Sequence, residues 1–207
     1  MQIYRDMNIG TAKVLEEEMQ GIRHYMLDII SPEERYSVSD FKKQAEQCIE
    51  QILRKGKIPI VCGGTGLYIN SLIYGIEFAN EEIDMTYRNH LNEIAQNKGL
   101  EDLYKKALEI DSEAASKISK NDKKRIIRIL EIYHKTGKTK TQQDLESRKN
   151  EVKYDYKVFG INMDRQILYD RINKRVDIML EQGLIQEVKE ILEKYNAFPT
   201  AMQGLRI

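Results

Sequence analysis

The chain has 207 residues, 41% of them hydrophobic and 32% charged, with 33 basic and 33 acidic side chains. This composition is typical of one or two globular domains and excludes a disordered or collagen-like chain. Two cysteines and three histidines exclude a disulfide framework and a zinc site made of these residues, so no residue is predicted as a metal ligand. No segment is apolar enough to cross a bilayer, and we expect a cytoplasmic protein without membrane contact.

The first predicted elements follow the order helix, strand, glycine-rich turn and helix. Ser37 and Ser39 are candidate N-caps for a helix that ends at Gly56. Residues 58–62 form a short apolar run typical of a buried strand. The turn Gly63–Gly66 follows, and residues 67–74 form an apolar segment with helical spacing. This order is typical of a parallel α/β sheet.

The strand signals disappear in the middle of the chain and return after it. Helices are predicted over 86–97, 100–110 and 122–136, and residues 139–149 form a loop or a short helix. A second strand is predicted over 156–161. Two further helices follow, from Asp164 to about Leu180 and from Ile185 to Tyr195. We therefore predict an α/β core of residues 1–82 and 151–207, interrupted by an all-helical insertion over 83–150.

Basic side chains are concentrated in residues 117–140, which contain nine basic and two acidic residues. The predicted helix within this stretch has two faces. Its buried face is predicted to hold Ile126, Ile127, Leu130 and Tyr133, and its opposite face Lys124, Arg128 and Lys135, with Arg125 at the flank. Such a face is either an ordinary solvated surface or a contact for the phosphate backbone of a nucleic acid.

Two features of the predicted core could bind an anion. The turn Gly63–Gly66 leaves backbone N–H groups free at the start of a helix, although glycines also serve tight turns. Arg171 and Arg175 lie one turn apart at the edge of an apolar helical stripe. They could clamp phosphate oxygens, or they could extend to solvent along the apolar surface (snorkelling) or form an ion pair with Asp164 or Glu181.

Several segments, in this order, resemble the tRNA isopentenyltransferase (tRNA dimethylallyltransferase) family. They are MQIYRDMNIGTAK, HYMLDIISPEERYSVSDF, IVCGGTGLYINSLIYG, NDKKRIIRILEIYHKTGK and DRQILYDRINKRVDIMLEQGL. The resemblance covers the whole chain. It implies a P-loop-kinase-like parallel sheet core with an all-helical insertion that contacts tRNA.

The resemblance also implies an activity and its partners. The activity is transfer of a dimethylallyl group from dimethylallyl diphosphate to N6 of the adenosine 3′-adjacent to the anticodon, with Mg²⁺ as cofactor. The partners are the tRNA anticodon stem-loop and dimethylallyl diphosphate, and we expect a monomer. The alternative is a catalytically inactive chain that only binds the stem-loop.

The resemblance assigns roles to individual residues of this sequence. It implies that Thr65 and Arg88 are catalytic. It implies that the diphosphate is bound by Gly63, Gly64, Thr65, Arg171 and Arg175. Finally, it implies that tRNA is bound by Met1, Gln2, Lys124, Arg125, Ile126, Ile127, Arg128, Gln203 and Gly204.

The sequence also departs from the family pattern. Family members begin with a strand, a P-loop that grips the diphosphate, and an Asp-Ser pair whose aspartate is the general base; the match here starts after that pair. Arg206 and Ile207 do not fit the family's continuation either. The first strand and the P-loop are therefore expected to be missing, and we expect the 207 residues alone to transfer no detectable dimethylallyl group. Without a complete P-loop, a nucleotide kinase is disfavoured.

Overall fold

The computed structural model describes residues 1–77, 84–148, 151–195, 199 and 201–202. Within these ranges the chain forms one 3-10 helix, Glu16–Met19, and nine α-helices. In chain order the α-helices are α1 (Val38–Arg54), α2 (Gly66–Ile73), α3 (Met85–Asn97), α4 (Glu101–Ile110), α5 (Ser112–Ser116), α6 (Lys123–Thr136), α7 (Lys140–Ser147), α8 (Arg165–Glu181) and α9 (Leu184–Tyr195).

The chain divides into two compact units. The first unit contains residues 1–63 and 156–207, and the second unit contains residues 64–155. The second unit thus includes α2 as well as the helices of the predicted insertion. A hydrogen bond joins the end of α2 directly to these helices: the backbone N–H of Glu77, just after α2, donates to the carbonyl of Ser147 at the end of α7 (3.1 Å).

The two predicted strands are absent from the structure, although residues 58–62 and 156–161 both lie in the described ranges. Ile58 and Phe159 are 86% and 88% exposed. A β-branched apolar run favours a pleated, half-buried surface, but a strand also needs a neighbour to complete its hydrogen-bond ladder. Across the described ranges the β-pairing is limited to an isolated parallel bridge between Tyr4 and Ile30. The predicted sheet core is therefore not formed among these residues.

The predicted helix ends are confirmed by their capping hydrogen bonds. Ser37 caps α1, where its hydroxyl accepts the N–H of Asp40 (3.1 Å) and the Asp40 carboxylate accepts the N–H of Ser37 (2.9 Å). Asp164 caps α8 through the N–H of Gln166 (2.9 Å). Gly137 ends α6 with a φ of 67°, a left-handed conformation that favours glycine. These ends depend on neighbouring residues alone, which is why the sequence predicts them.

The predicted apolar stripe of α8 lies largely at the surface. Leu168, Ile172 and Val176 are all exposed, and the described contacts of α8 within the first unit are with α9. The core of the first unit instead joins the N-terminal segment to the end of the chain. Its buried members are Ile3, Tyr4, Met7, Ile30, Ile191, Ala201 and Met202. The predicted sheet is not formed among the described residues, so it gives the stripe no apolar surface to pack against.

Helix α6 is the centre of the second unit. It contacts α3, α4, α5 and α7, so it is buried on more than the one face that its periodicity predicts. Ile129 and Ile132 are buried in addition to the predicted isoleucines, whereas Tyr133, predicted to be buried, is exposed. A helix packed on several sides has no single apolar stripe, and the sequence pattern therefore understates its burial.

Asp111 links α5 to α7 in the second unit. Its carboxylate accepts the N–H of Ala114 (3.0 Å) and both the N–H (2.8 Å) and the hydroxyl (2.7 Å) of Thr141. Burial alone would raise the pKa of this carboxyl, but the hydrogen bonds outweigh it and the pKa lies below its ordinary value. Ionised Asp111 therefore stabilises the folded unit.

This lowered pKa predicts a specific pH dependence of stability. The stabilisation is complete above the unfolded-state pKa of about 4 and is lost as the pH falls through the folded-state value. We expect Asp111→Asn to lower the free energy of unfolding at neutral pH, and the difference from the parent to shrink in acid. Urea unfolding across the acid range measures this, with the exposed Asp102→Asn as control. A difference that stays constant with pH would contradict the assignment.

Candidate functional site

The glycine turn leaves open space above its backbone. A Cβ added at Gly63, Gly64 or Gly66 would meet no atom within 4 Å, and none of the three has a positive φ. The fold of the described chain therefore does not itself require glycine at these positions. The space around the turn is open, and its anion-binding role stays a prediction.

Thr65 is the N-cap of α2, but its hydroxyl does not perform the usual capping function. Its carbonyl accepts the N–H groups of Tyr68 (2.9 Å) and Ile69 (3.0 Å), while its side chain makes no capping hydrogen bond. Most N-cap threonines use their hydroxyl for that bond. The Thr65 hydroxyl is thus available to a ligand, as its predicted catalytic role requires, and that role stays a prediction.

Arg171 and Arg175 lie on α8 of the first unit, and both are exposed. Among the described residues, neither forms the ion pair with Asp164 or Glu181 that was one alternative to phosphate binding, and their exposure also fits the other alternative, extension of the side chains to solvent. The Asp164 carboxylate instead caps the helix. Both guanidinium groups can therefore reach an anion, and a site that they share with the glycine turn stays a prediction.

Arg88 lies on α3 and is held by a buried carboxylate. Its Nε and Nη2 both donate to Glu131 of α6, the second over 2.7 Å, and Arg128 Nη1 lies 3.8 Å from the same carboxylate. The side chain of Glu131 is 7% exposed and that of Arg88 is 28% exposed. Hydrogen bonding to Glu131 raises the pKa of Arg88 further above its ordinary value. The sequence gives no local signal of this pair because the two residues are 43 positions apart.

The run predicted to contact tRNA contains two kinds of residue. Lys124 and Arg125 are exposed and Arg128 is partly exposed, whereas Ile126 and Ile127 are 0% and 5% exposed in the core. The prediction that the isoleucines bind tRNA is therefore corrected for their side chains, which pack inside the second unit. Their buried position fixes the basic residues around them on the surface.

The segment that carries Met1 and Gln2 is fastened to α9 in the first unit. Glu187 accepts the backbone N–H groups of Asn8 (2.8 Å), Ile9 (2.7 Å) and Gly10 (3.0 Å). Further along α9, Lys194 (2.7 Å) and Tyr195 (2.6 Å) donate to the Asp6 carboxylate and lower its pKa. Contacts between residues this distant in the chain cannot be predicted from local sequence patterns.

Of the two predicted contact residues in that segment, Gln2 already has partners. Its amide nitrogen donates to the carbonyls of Ala12 (2.8 Å) and Thr11 (3.2 Å). This partly exposed side chain therefore also stabilises the N-terminal segment that contains these two carbonyls. Met1 is exposed. The predicted contacts Gln203 and Gly204 lie outside the described residues.

The described residues contain no group of three or more histidine, cysteine, aspartate or glutamate side chains that could hold a metal ion. No residue of this chain is therefore assigned to the expected Mg²⁺. None of the helices in the described ranges is both long enough and apolar enough to cross a membrane.

Comparison with known proteins gives a consistent result. The family model described as "IPP transferase" matches residues 2–207. A tRNA dimethylallyltransferase of Acetivibrio thermocellus is 52% identical over 206 residues, covering 99% of this chain and 66% of the relative. One from Bacillus mycoides is 49% identical over 194 residues, covering 94% of this chain and 61% of the relative. The chain thus spans slightly less than two thirds of the length of these relatives.

Solved structures show the same likeness. A tRNA isopentenylpyrophosphate transferase from Staphylococcus epidermidis is 42% identical, with a TM-score of 0.60, over 98% of this chain and 66% of that one. A eukaryotic dimethylallyltransferase acting on tRNA is 32% identical, with a TM-score of 0.74, over 94% of this chain and 48% of that one.

Proposed function

This chain belongs to the IPP transferase family, and on that premise we propose that it serves in the transfer of a dimethylallyl group to tRNA. The observation that carries the proposal is 52% identity to a tRNA dimethylallyltransferase over 206 of the 207 residues. The proposed substrates are dimethylallyl diphosphate and the adenosine 3′-adjacent to the anticodon. The likeness to solved isopentenyltransferases also supports the P-loop-kinase-like fold class inferred from the sequence.

The proposed reaction is a substitution at the first carbon of the dimethylallyl group. A bond forms from the adenine N6 to that carbon, the carbon–oxygen bond to diphosphate breaks, and N6 loses one proton. Arginine forks suit diphosphate oxygens, and charge on a leaving group is stabilised best by donors already in place. The exposed pair Arg171 and Arg175 and the free hydroxyl of Thr65 are the residues we propose for these roles. Mg²⁺, which the resemblance implies, would neutralise diphosphate charge when bound.

A chimeric protein tests this function. In it, residues of this chain replace the part of the A. thermocellus relative that they match, and the relative supplies the remaining third; we call this the completed protein. We expect it to incorporate labelled dimethylallyl diphosphate into tRNA with adenosine beside the anticodon. The 207 residues alone are the comparison, and the intact relative is the positive control. A completed protein that binds the anticodon stem-loop but transfers no group would support the alternative of a chain that only binds RNA.

The basic face of α6 is proposed to bind RNA phosphates. We expect Lys124→Ala combined with Arg128→Ala to weaken binding of an anticodon stem-loop. The double change should also flatten the salt dependence of binding by about one unit of slope for each phosphate that is no longer neutralised. Filter or fluorescence binding over a range of salt concentrations measures the slope. If the variant keeps the parent slope, this face is only a solvated surface.

A further inference from the structure

The carboxylate of Glu187, in the first turn of α9, is seated in a ring of backbone donors from the start of the chain. One of its oxygens accepts the N–H groups of Asn8 (2.8 Å) and Ile9 (2.7 Å), and the other accepts that of Gly10 (3.0 Å). Successive backbone N–H groups that converge on one anion form a nest. Hydrogen bonds to an ionised acceptor are roughly twice as strong as neutral ones, so Glu187 fixes this stretch of backbone relative to α9.

Backbone hydrogen bonds make residues 8–13 a closed turn. The N–H of Ala12 donates to the carbonyl of Ile9 (2.9 Å), and the N–H of Lys13 donates to the carbonyl of Asn8 (2.9 Å). Two residues of the nest therefore also supply the acceptors that close the turn. A carboxylate seated in the nest consequently sets the position of the carbonyl groups further along the turn.

The Gln2 side chain is attached to this turn by its amide nitrogen, which donates to the carbonyls of Thr11 (3.2 Å) and Ala12 (2.8 Å). Because carbonyls only accept, the amide has one orientation and both of its N–H donors are used. Within the part of the chain that the structure describes, the side-chain oxygen of Gln2 receives no hydrogen bond from the protein. Gln2 thus presents an uncharged acceptor whose position depends on the turn.

Other contacts keep the N-terminal segment attached to α9 when the nest is empty. Ile191 of α9 belongs to the same buried cluster as Ile3 and Met7. The hydroxyl of Tyr195 donates to the Asp6 carboxylate over 2.6 Å. Loss of the carboxylate from the nest should therefore loosen the turn without detaching the segment.

We propose that Glu187 is a positioning residue for RNA binding: its carboxylate holds the turn, and the turn holds Gln2 in the orientation that binds RNA. The inference rests on the proposed function, which supplies RNA as the ligand and for which Gln2 is an expected contact. It predicts an effect of unusual sign. Removal of an acidic side chain from an RNA-binding protein ordinarily strengthens binding, because the polyanion is repelled less. Removal of Glu187 should instead weaken it.

Binding of an anticodon stem-loop by the 207-residue chain tests the proposal without any requirement for transfer. We expect Glu187→Ala to weaken binding by about 2–10-fold, the usual value of one net hydrogen bond. The slope of log affinity against log salt should not flatten, because the Gln2 contact is uncharged. Glu187→Gln keeps one acceptor oxygen for the nest and should lie between the parent and the alanine variant. Gln2→Met removes the amide at similar length and should weaken binding by a similar factor.

The double variant separates positioning from a general loss of structure. If Glu187 acts through Gln2, Glu187→Ala should weaken binding in the parent but hardly at all in the Gln2→Met background. The temperature of unfolding should fall in both backgrounds. If Glu187→Ala does not fold, Glu187→Gln takes its place in the same comparison.

Glu190 is a matched control for the change in charge. It lies on α9 three residues further on, is exposed, and accepts the side-chain amide of Gln186 (3.0 Å). Glu190→Ala removes the same charge without touching the nest. We therefore expect it not to weaken RNA binding.

Each outcome decides for or against the positioning role. Equal weakening by Glu187→Ala in both backgrounds, or by Glu190→Ala, would overturn it, as would unchanged binding in Glu187→Ala or in Gln2→Met. A parent chain that binds no stem-loop at low salt would overturn it as well. A Glu187→Ala effect that Gln2→Met abolishes supports it, even if the completed protein transfers no dimethylallyl group, which would instead count against the proposed function.

Discussion

Thr65→Ala in the completed protein is expected to slow dimethylallyl transfer by about 10²–10³-fold, the usual effect of removing one hydrogen-bond donor from a reaction centre. The free energy of unfolding should change little. The reason is structural, since the Thr65 hydroxyl makes no capping hydrogen bond that the substitution could remove. Affinity for the tRNA stem-loop should also stay near the parent value. Single-turnover transfer of labelled substrate measures the rate, urea unfolding measures the stability, and stem-loop binding measures the affinity.

Thr139 is a matched control in the same chain. It too is the N-cap of a helix, but its hydroxyl accepts the N–H of Gln142 (3.1 Å). We expect Thr139→Ala to lower the free energy of unfolding by about 1 kcal/mol and to leave the transfer rate unchanged. If the two threonine variants lose stability equally and neither slows transfer, Thr65 is an ordinary cap and its catalytic assignment is wrong.

Arg88→Ala is expected to destabilise the second unit by roughly 3–5 kcal/mol, because it leaves the buried Glu131 carboxylate without its bidentate partner. Arg128, at 3.8 Å from that carboxylate, is too distant for a hydrogen bond to replace it. Removing both charges together, in Arg88→Met with Glu131→Leu, should restore most of the stability, since no unpaired charge remains. Urea unfolding of the parent, Arg88→Met, Glu131→Leu and the double variant gives the coupling energy. Additive effects of the two single substitutions would contradict the buried pair.

The same double variant tests the catalytic role expected of Arg88. Loss of transfer in Arg88→Ala alone would have two explanations, a missing contact to substrate or a destabilised unit. The Met–Leu variant keeps the unit folded while it lacks the guanidinium, together with the Glu131 carboxylate that the guanidinium neutralises. If it transfers at the parent rate in the completed protein, Arg88 acts through packing and the catalytic assignment is wrong. The exposed pair Lys105 and Glu101 is the control, and Lys105→Ala should leave both stability and transfer unchanged.

Local features of this chain were predictable from the sequence. The Ser37 and Asp164 caps, the Gly137 helix end and the periodicity of α3, α4 and α6 each depend on residues within a few positions of one another. The family resemblance was equally accessible, because the ordered segments that carry it are contiguous in the sequence. It is also the basis for the expected roles of Thr65, Arg171 and Arg175, which the structure leaves exposed or unengaged.

The predicted strands show where sequence patterns are insufficient. Residues 58–62 and 156–161 have the composition of strands, but a strand is completed by hydrogen bonds to a neighbour, and composition cannot supply that neighbour. For the same reason the apolar stripe of α8 identified a helix correctly and its burial incorrectly. Ile126 and Ile127 show the opposite error. The family motif placed them in one tRNA-contacting run with their basic neighbours, but the packing of α6 buries the two isoleucines and leaves the basic residues at the surface.

The sequence by itself determined most of the helices, the caps at Ser37, Asp164 and Gly137, the basic stretch of residues 117–140 and the family, but not the short helix α5. Only the tertiary structure decided which distant residues meet. It brought Arg88 to Glu131 and Glu187 to the backbone of residues 8–10. The physical reason is that helix formation and capping act between near neighbours, whereas buried ion pairs and long-range hydrogen bonds depend on how whole helices pack together.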